Sequence, residues 1–272
     1  MIIDVEALAG ILRDAAKAEI MPRFRRLEEG MVREKSSAVD LVTEADEAAE
    51  RMIAAAVSRL APDALFVGEE STAADPGLLD RLKEADLAVV VDPVDGTFNF
   101  AAGMPLFGVM ASVVHKGETV AGLIYDPIGD DLVVAEKGGG AVHVFSDGHS
   151  LKLAAAAPAA LEDLTGMASV GFLPQQSRSE VLANLAKVRF FASYRCAAHE
   201  YRMAAGGFVH FAMYYKILPW DHLAGALIMQ EAGAHVARFD GSAYLPQHTT
   251  GGLLIAPDKE SWDVLRREVF TV

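Results

Sequence analysis

The stretch VVVDPVDGTFNF (residues 89–100) ends an apolar run in two carboxylates, Asp92 and Asp95, followed at once by Gly96 and Thr97. An apolar strand ending this way carries its acids to its C-terminal edge, where both can converge on one point. Pro93 is expected to stop the strand and Asp95-Gly96-Thr97 to open a turn. Glycine allows close backbone approach, so the Gly96 and Thr97 N–H groups are available to an anion. Hard cations such as Mg²⁺ want oxygen ligands of this kind and share them with substrate phosphates. The same residues are also ordinary turn formers, so the pattern needs support from elsewhere.

Three other stretches supply it. GEES (68–71) follows a short apolar run and presents Glu69 and Glu70 at its end. PWDHLAGALIMQEAG (219–233) puts Asp221 at the start of an apolar-faced helix, where alone it reads as an N-terminal capping carboxylate. TEAD (43–46) contains Asp46, and Thr43 with Asp46 fits a capping box in which Asp replaces Glu or Gln.

The elements around these residues follow from periodicity. A helix is expected from about Val5 to Arg26, kinked at Pro22, and a second from its Thr43 cap to Leu60. ALFVG (64–68) and LAVVVD (87–92) read as strands, and GVMASVVH, TVAGLIYD and DLVVAE between Phe107 and Val144 as an antiparallel meander. Beyond the Ala-rich LKLAAAAPAA (151–160), strands near 164–170, 189–192 and 208–214 alternate with helices near 179–187, 197–205 and 221–232. Asp258 caps a last helix. Such alternation implies layered α/β structure. We expect one domain over 1–272 built of two lobes, about 1–150 with most of the acidic motifs and about 151–272 with Asp221.

Composition bounds the function. The 272 residues are 52% hydrophobic and 23% charged, the balance of a soluble globular chain. No apolar run spans a bilayer, and Asp4 and Glu6 stand where a signal peptide carries Lys or Arg, so a cytoplasmic protein is expected. A net charge of −14 argues against nucleic acid as a partner. A single cysteine, Cys196, excludes a cysteine-rich zinc site, and the eight histidines show no close ligand spacing. An acidic phosphate-handling site needs bound cations to reverse its local sign.

Taken together, KSSAVDLVTEAD (35–46), GEES (68–71), DPVDGTFNF (92–100) and WDHLAGALIMQEAG (220–233) resemble the inositol monophosphatase family in order and approximate spacing. The resemblance implies a layered α/β/α/β/α sandwich and Mg²⁺-dependent hydrolysis of a small phosphate monoester by a metal-activated water. It implies two or three Mg²⁺ per site, sensitivity to Li⁺ and a homodimer. Carried over, Glu69, Asp92 and the Val94 carbonyl resemble ligands of a first Mg²⁺. Asp92, Asp95 and Asp221 resemble those of a second, and Glu69 helps hold a weaker third. Gly96 and Thr97 resemble the family's phosphate-binding backbone. Asp46 and the Thr97 hydroxyl resemble the pair that orients and deprotonates water, with Glu69 joining the catalytic set. Lys35 resembles a lysine on a loop near the site; a solvated surface lysine is the alternative.

Substrate contacts implied by the resemblance are Asp95, Ala198, Glu200, Tyr214 and Asp221. Family members specific for inositol carry a glutamate shortly before the Trp–Asp pair, where this chain has Tyr214; Glu200 is a possible replacement. Histidinol phosphate, another sugar phosphate or a nucleotide phosphate therefore remain alternatives, as does a catalytically inactive regulatory relative. Cys196 to Arg202 formally matches C-x5-R, the thiolate-phosphatase pattern, but AAHEY between them forms helix and contains no glycine. Cys196 reads instead as a small buried hydrophobe.

Overall fold

The computed structural model describes residues 2–27, 32–37 and 40–272, without the side chains of 34–37 and 40. Helix α1 (Val5–Ala15) starts at Asp4, whose carboxylate accepts from the Ala7 N–H, and buries Leu8 and Leu12. It does not run on to Arg26. It passes into a π-helical turn at Ala16–Ile20, and Met21–Arg25 form turns. Pro22 offers no amide hydrogen to continue the ladder, so it ends the helix rather than kinking it.

Strands β1 (Val32–Ser37) and β2 (Asp40–Thr43) pair antiparallel and lead into α2 (Glu44–Leu60). Then come β3 (Leu65–Gly68), α3 (Glu69–Ala74), α4 (Leu78–Glu84), β4 (Leu87–Asp95) and α5 (Thr97–Ala101). The meander follows as β5 (Gly108–His115), β6 (Glu118–Asp126), β7 (Asp131–Glu136), β8 (Gly140–Val144) and β9 (Ser150–Lys152). The second half runs β10 (Thr165–Ala168), α6 (Gln175–Leu185), β11 (Phe190–Ala192), α7 (Ala197–Ala205), β12 (Phe211–Tyr214) and α8 (Pro219–Glu231). Strands β13 (His235–Arg238) and β14 (Leu253–Ala256), which the periodicity does not announce, precede α9 (Lys259–Glu268), capped by Asp258.

A seven-stranded sheet has the order β3-β4-β5-β6-β7-β8-β9, and a five-stranded sheet the order β11-β10-β12-β14-β13. The larger sheet is apolar on both faces. Along β4 and β5, Val89, Val91, Val109, Ala111 and Val113 join a core under α1 and α2. Their neighbours Ala88, Val90, Met110 and Val114 join a second core with α7 and α8. Burial on both faces is why β4 reads as an unbroken apolar run rather than an alternating one. The second core also takes Met167, Ala212 and Ile255 from the smaller sheet, and a third core packs that sheet's far face on α6 and α9. The layers are therefore helix, sheet, helix, sheet, helix, as the resemblance implies.

Helix α8 lies so close to β6 that a Cβ at Gly122 would sit 2.6 Å from the Ala224 carbonyl oxygen. A backbone atom cannot swing aside as a side chain can. We predict that Gly122→Ala lifts α8 and costs about 1–3 kcal/mol, measured by urea unfolding. Because α8 carries Asp221, any catalytic activity should fall with it. A variant as stable as the parent would show that the contact is not tight.

Candidate active site

Asp92 and Asp95 are three residues apart, a spacing that points to opposite faces of a regular strand. They reach one cleft because β4 does not stop at Pro93. It continues to Asp95 through a bulge: Asp92 pairs with Met110 and Asp95 with Gly108, leaving Pro93 and Val94 unpaired between them. Pro93 has no N–H to lose, which suits it to the bulge. The Val94 N–H turns back to Asp92 Oδ1 at 3.0 Å.

Beyond the bulge Gly96 adopts φ 87°, a left-handed conformation that glycine alone takes without strain. The site is also closed to a side chain, since a Cβ there would sit 2.8 Å from the Leu106 carbonyl oxygen. The turn delivers Thr97 to the start of α5. Its hydroxyl lies 3.0 Å from Asp46 Oδ1 and 2.9 Å from the Val94 carbonyl oxygen. One proton serves only one acceptor at a time.

Asp46 is fully buried, and its two oxygens have different tasks. Oδ2 accepts from the Thr43 N–H at 2.9 Å and the Thr43 hydroxyl at 2.5 Å, closing the capping box of α2. Oδ1 faces Thr97. The capping and site readings of Asp46 therefore both describe real contacts, and Asp46 meets the cleft through Thr97, which lines it.

Glu69 opens α3 and lines the cleft. Glu70 does not line it; it borders a shallow depression beside Glu50 and Arg51 instead. Sequence reasoning missed Glu50. Its carboxylate accepts from the N–H groups of Glu70 and Ser71, both at 2.7 Å, and so anchors the first turn of α3. A Cβ on Gly68 would collide with that carboxylate at 2.2–2.4 Å. The available signal was helical spacing, because Glu50 lies one turn beyond Asp46 on α2.

Asp221 is the third residue of α8, which begins at Pro219 behind a Leu218 N-cap, so it is not the cap itself. Asp95 Oδ2 accepts from the Ala198 N–H at 2.6 Å and from the Cys196 thiol at 3.0 Å. Burial pushes the thiol's pKa up, so Cys196 stays protonated and donates. Cys196 is thus buried in the apolar core, as its sequence reading has it, and adds a donor to that role. Arg202 faces away, paired with Asp131 at 2.5 Å, so C-x5-R forms no anion loop.

Glu69, Asp92, Val94, Asp95, Gly96, Thr97, Glu200, Tyr214 and Asp221 all line one cleft. Ala198 touches it through Asp95. Lys35 lies on β1, and its side chain falls outside the described residues. Glu200 is buried, and its Oε1 is engaged by the Tyr194 N–H at 2.7 Å and the Ser193 hydroxyl at 3.2 Å. Burial also pushes its pKa up to about 7. Lys216, Arg195, Phe98 and Ser169 line the same cleft and were not expected there.

The electrostatics are those of crowded, desolvated acids. Burial first, then the charges of Glu69, Asp95, Asp221 and Asp46, hold the Asp92 carboxyl well above the ordinary carboxylate range. Burial, with Glu69 and Asp95, pushes Asp221 up to about 8. Burial also raises Asp95, against its hydrogen bonds from Cys196 and Ala198. Among the described residues no three His, Cys, Asp or Glu side chains are already gathered to hold an ion. Asp92 and Asp221 still approach closely enough for their carboxyls to share a hydrogen bond. The chemistry of the cleft is that of a hard-cation site: carboxylates and a carbonyl, all oxygen.

The sequence profile of the inositol monophosphatase family matches residues 4–269. An inositol-1-monophosphatase of Mesorhizobium japonicum is 34% identical over 211 residues, 74% of this chain and 73% of that protein. A fructose-1,6-bisphosphatase/inositol-1-monophosphatase of Thermotoga maritima is 30% identical over 210 residues, 77% and 76% of the two chains. A Nus factor SuhB of Pasteurella multocida is 32% identical over 239 residues, 84% and 82%. Among solved structures, an extragenic suppressor protein suhB of Bartonella henselae superimposes with a TM-score of 0.83 at 27% identity, covering 97% of each chain. A Thermotoga maritima IMPase gives 0.82 at 25%, covering 98% of this chain and 96% of that one.

The raised acids make a prediction for the metal-free protein. A carboxyl whose folded pKa lies above its unfolded value stabilises the fold below the unfolded pKa, near 4, and loses that contribution as pH rises through the folded pKa. For Asp221 that window runs from about 4 to about 8. In a chelating buffer the melting temperature should therefore climb as pH falls from 8.5 to 5.5. Saturating Mg²⁺ should flatten that slope. A slope identical with and without Mg²⁺ would mean that the acids do not meet a cation.

Proposed function

The chain belongs to the inositol monophosphatase family, and from that premise we propose that it hydrolyses small phosphate monoesters with Mg²⁺ as its cofactor. The observation that carries this reading is the ring of Glu69, Asp92, Asp95 and Asp221 around one cleft, beside the Thr97–Asp46 pair. Glu69, Asp92 and the Val94 carbonyl would hold one ion, Asp92, Asp95 and Asp221 a second, and Glu69 a weaker third. Bound there, the ions would supply the positive charge that admits a phosphate among carboxylates, and would lower the pKa of water.

The chain's own groups would do the rest. The Gly96 and Thr97 N–H groups would orient the phosphoryl oxygens at the start of α5. Asp46 Oδ1 would take the Thr97 hydroxyl proton, leaving an Oγ1 lone pair in the cleft to accept the proton of the attacking water. Oδ2, held by Thr43, keeps the Asp46 carboxylate from rotating away. Water then forms the new P–O bond as the ester bond breaks, and the alcohol leaves with a proton from solvent. Li⁺ inhibition and a homodimer belong to the same reading.

Activity on an aryl phosphate should vanish in a chelator and return with Mg²⁺; undiminished turnover after exhaustive chelation would sink the reading. Asp92→Asn should lower the rate roughly a thousand-fold or more, because it serves both main ions. Its fold should survive or gain stability, as one repelling charge is removed. Circular dichroism checks the second point, and a nearly fully active variant would make the bulge structural only.

Thr97→Ala should cost about 10²–10⁴-fold in kcat, the usual worth of a general base. Cys196→Ser, whose hydroxyl can also donate to Asp95, should remain active within severalfold. An inactive, folded Cys196→Ser beside an active Thr97→Ala would reverse the assignment and point to a thiolate nucleophile.

A further inference from the structure

Asp95 owes its orientation to the start of α7. Its Oδ2 accepts from the Ala198 N–H at 2.6 Å and from the Cys196 thiol at 3.0 Å. Two donors on one oxygen fix the plane of a carboxylate and leave its other oxygen to a ligand. Both donors follow directly on the loop 193–196, and that loop is strained. Arg195 adopts φ 54°, a left-handed conformation that a residue other than glycine keeps only where its surroundings impose it.

The imposing contacts converge on one side chain. Glu200, one turn into α7, reaches back to the loop, and its Oε1 accepts from the Tyr194 N–H at 2.7 Å and the Ser193 hydroxyl at 3.2 Å. The Ser193 oxygen in turn accepts from the Arg195 N–H at 3.3 Å. The Tyr214 hydroxyl hydrogen-bonds to the same carboxylate from β12. From the other lobe, Asn99 Nδ2 donates to the Tyr194 carbonyl at 2.7 Å. Glu200 is buried, and a buried carboxylate is costly unless its bonds are made. Here they are made to the chain itself, so a substrate hydroxyl would have to displace one of these donors.

We infer that Glu200 is a positioning residue: by holding the strained loop against the first turn of α7, it sets the Cys196 thiol and the Ala198 N–H on Asp95 and so orients Asp95 for its cation. The inference rests on the metal-dependent reading of the cleft. It gives Glu200 a different task from the substrate contact that the family resemblance implies. Reach and acceptor power matter in this role and charge does not, because an amide oxygen accepts the same two bonds.

The test is Mn²⁺ binding without substrate, read from the free-ion EPR signal, beside Mg²⁺ activation of aryl phosphate hydrolysis. Glu200→Met keeps the volume and removes the acceptor. It should weaken Mn²⁺ binding and raise the half-activating Mg²⁺ concentration about tenfold or more, the usual cost of losing a ligand's support. Glu200→Gln should restore both to within about threefold of the parent. In an Asp95→Asn background, Glu200→Met should add little further loss, since its effect passes through Asp95.

If circular dichroism shows Glu200→Met unfolded, Ser193→Ala removes one donor from the same carboxylate and should weaken Mn²⁺ binding about two- to fivefold; parental affinity in that variant would overturn the inference. So would a folded Glu200→Met that binds Mn²⁺ like the parent. Selective loss of some monoesters would then make Glu200 a substrate contact, and uniform turnover a structural cap. Additive losses with Asp95→Asn would overturn it equally. The expected Mn²⁺ pattern with no monoester hydrolysed would remove the phosphatase reading and leave the positioning role standing.

Discussion

Like charges forced together out of water are the constraint on which this structure turns. Carboxylates from β4, α3 and α8 face one cleft, where burial and mutual repulsion push the pKa values of Asp92 and Asp221 up. Such an arrangement cannot arise from the acids themselves, which repel. It has to be imposed by elements that are stable for other reasons, and each acid stands at the end of one. Asp92 and Asp95 close a strand that is apolar on both faces, while Asp221 heads a helix buried between two sheets.

The imposing elements are pinned with little slack. Helix α8 approaches β6 at Gly122 and takes the Tyr201 ring against Gly225, where a Cβ would lie 2.1 Å from the ring. His222, one residue past Asp221, is buried, which pulls its pKa down to about 3 and keeps it neutral. Its Nε2 lies 3.0 Å from the Lys216 carbonyl oxygen, which can only accept, so the proton sits on Nε2. Nδ1, 3.1 Å from the Tyr201 hydroxyl, must then accept. One neutral imidazole thus ties α7, α8 and the Lys216 turn together. The turn that bears Lys216 is thereby fixed to the helix that carries Asp221.

Much of this was legible in the sequence because burial writes itself into pattern. The unbroken apolar run of β4, the meander that follows and the Thr43 cap of α2 were all readable. The set of acids was legible only through the resemblance of four motifs in order, since each acid alone reads equally as a turn or capping residue. What escaped was geometry that one residue decides. Pro93 reads as a stop, yet lies in a bulge, because the missing N–H that bars proline from a ladder is harmless in an unpaired position. Glu50 reads from sequence only as one more residue of a long helix, and the fold shows Gly68 and the amides of α3 brought onto it. Glu70 sits beside Glu69 in sequence, but successive residues on α3 point in different directions.

Asp46 shows why local pattern cannot separate structure from chemistry at such a site. A capping box and a base-orienting carboxylate demand the same residue type at the same helix start, and in the proposed mechanism one side chain would meet both demands with the two oxygens that here contact Thr43 and Thr97. The arrangement has a physical advantage. A catalytic carboxylate must resist rotation, and the most economical brace is a backbone N–H whose bond the helix needs anyway. Using the cap as the brace couples the orientation of Thr97 to the integrity of α2. The stability of the first turn of that helix and the alignment of the cleft hydroxyl are therefore one property, set by the two oxygens of a single buried carboxylate.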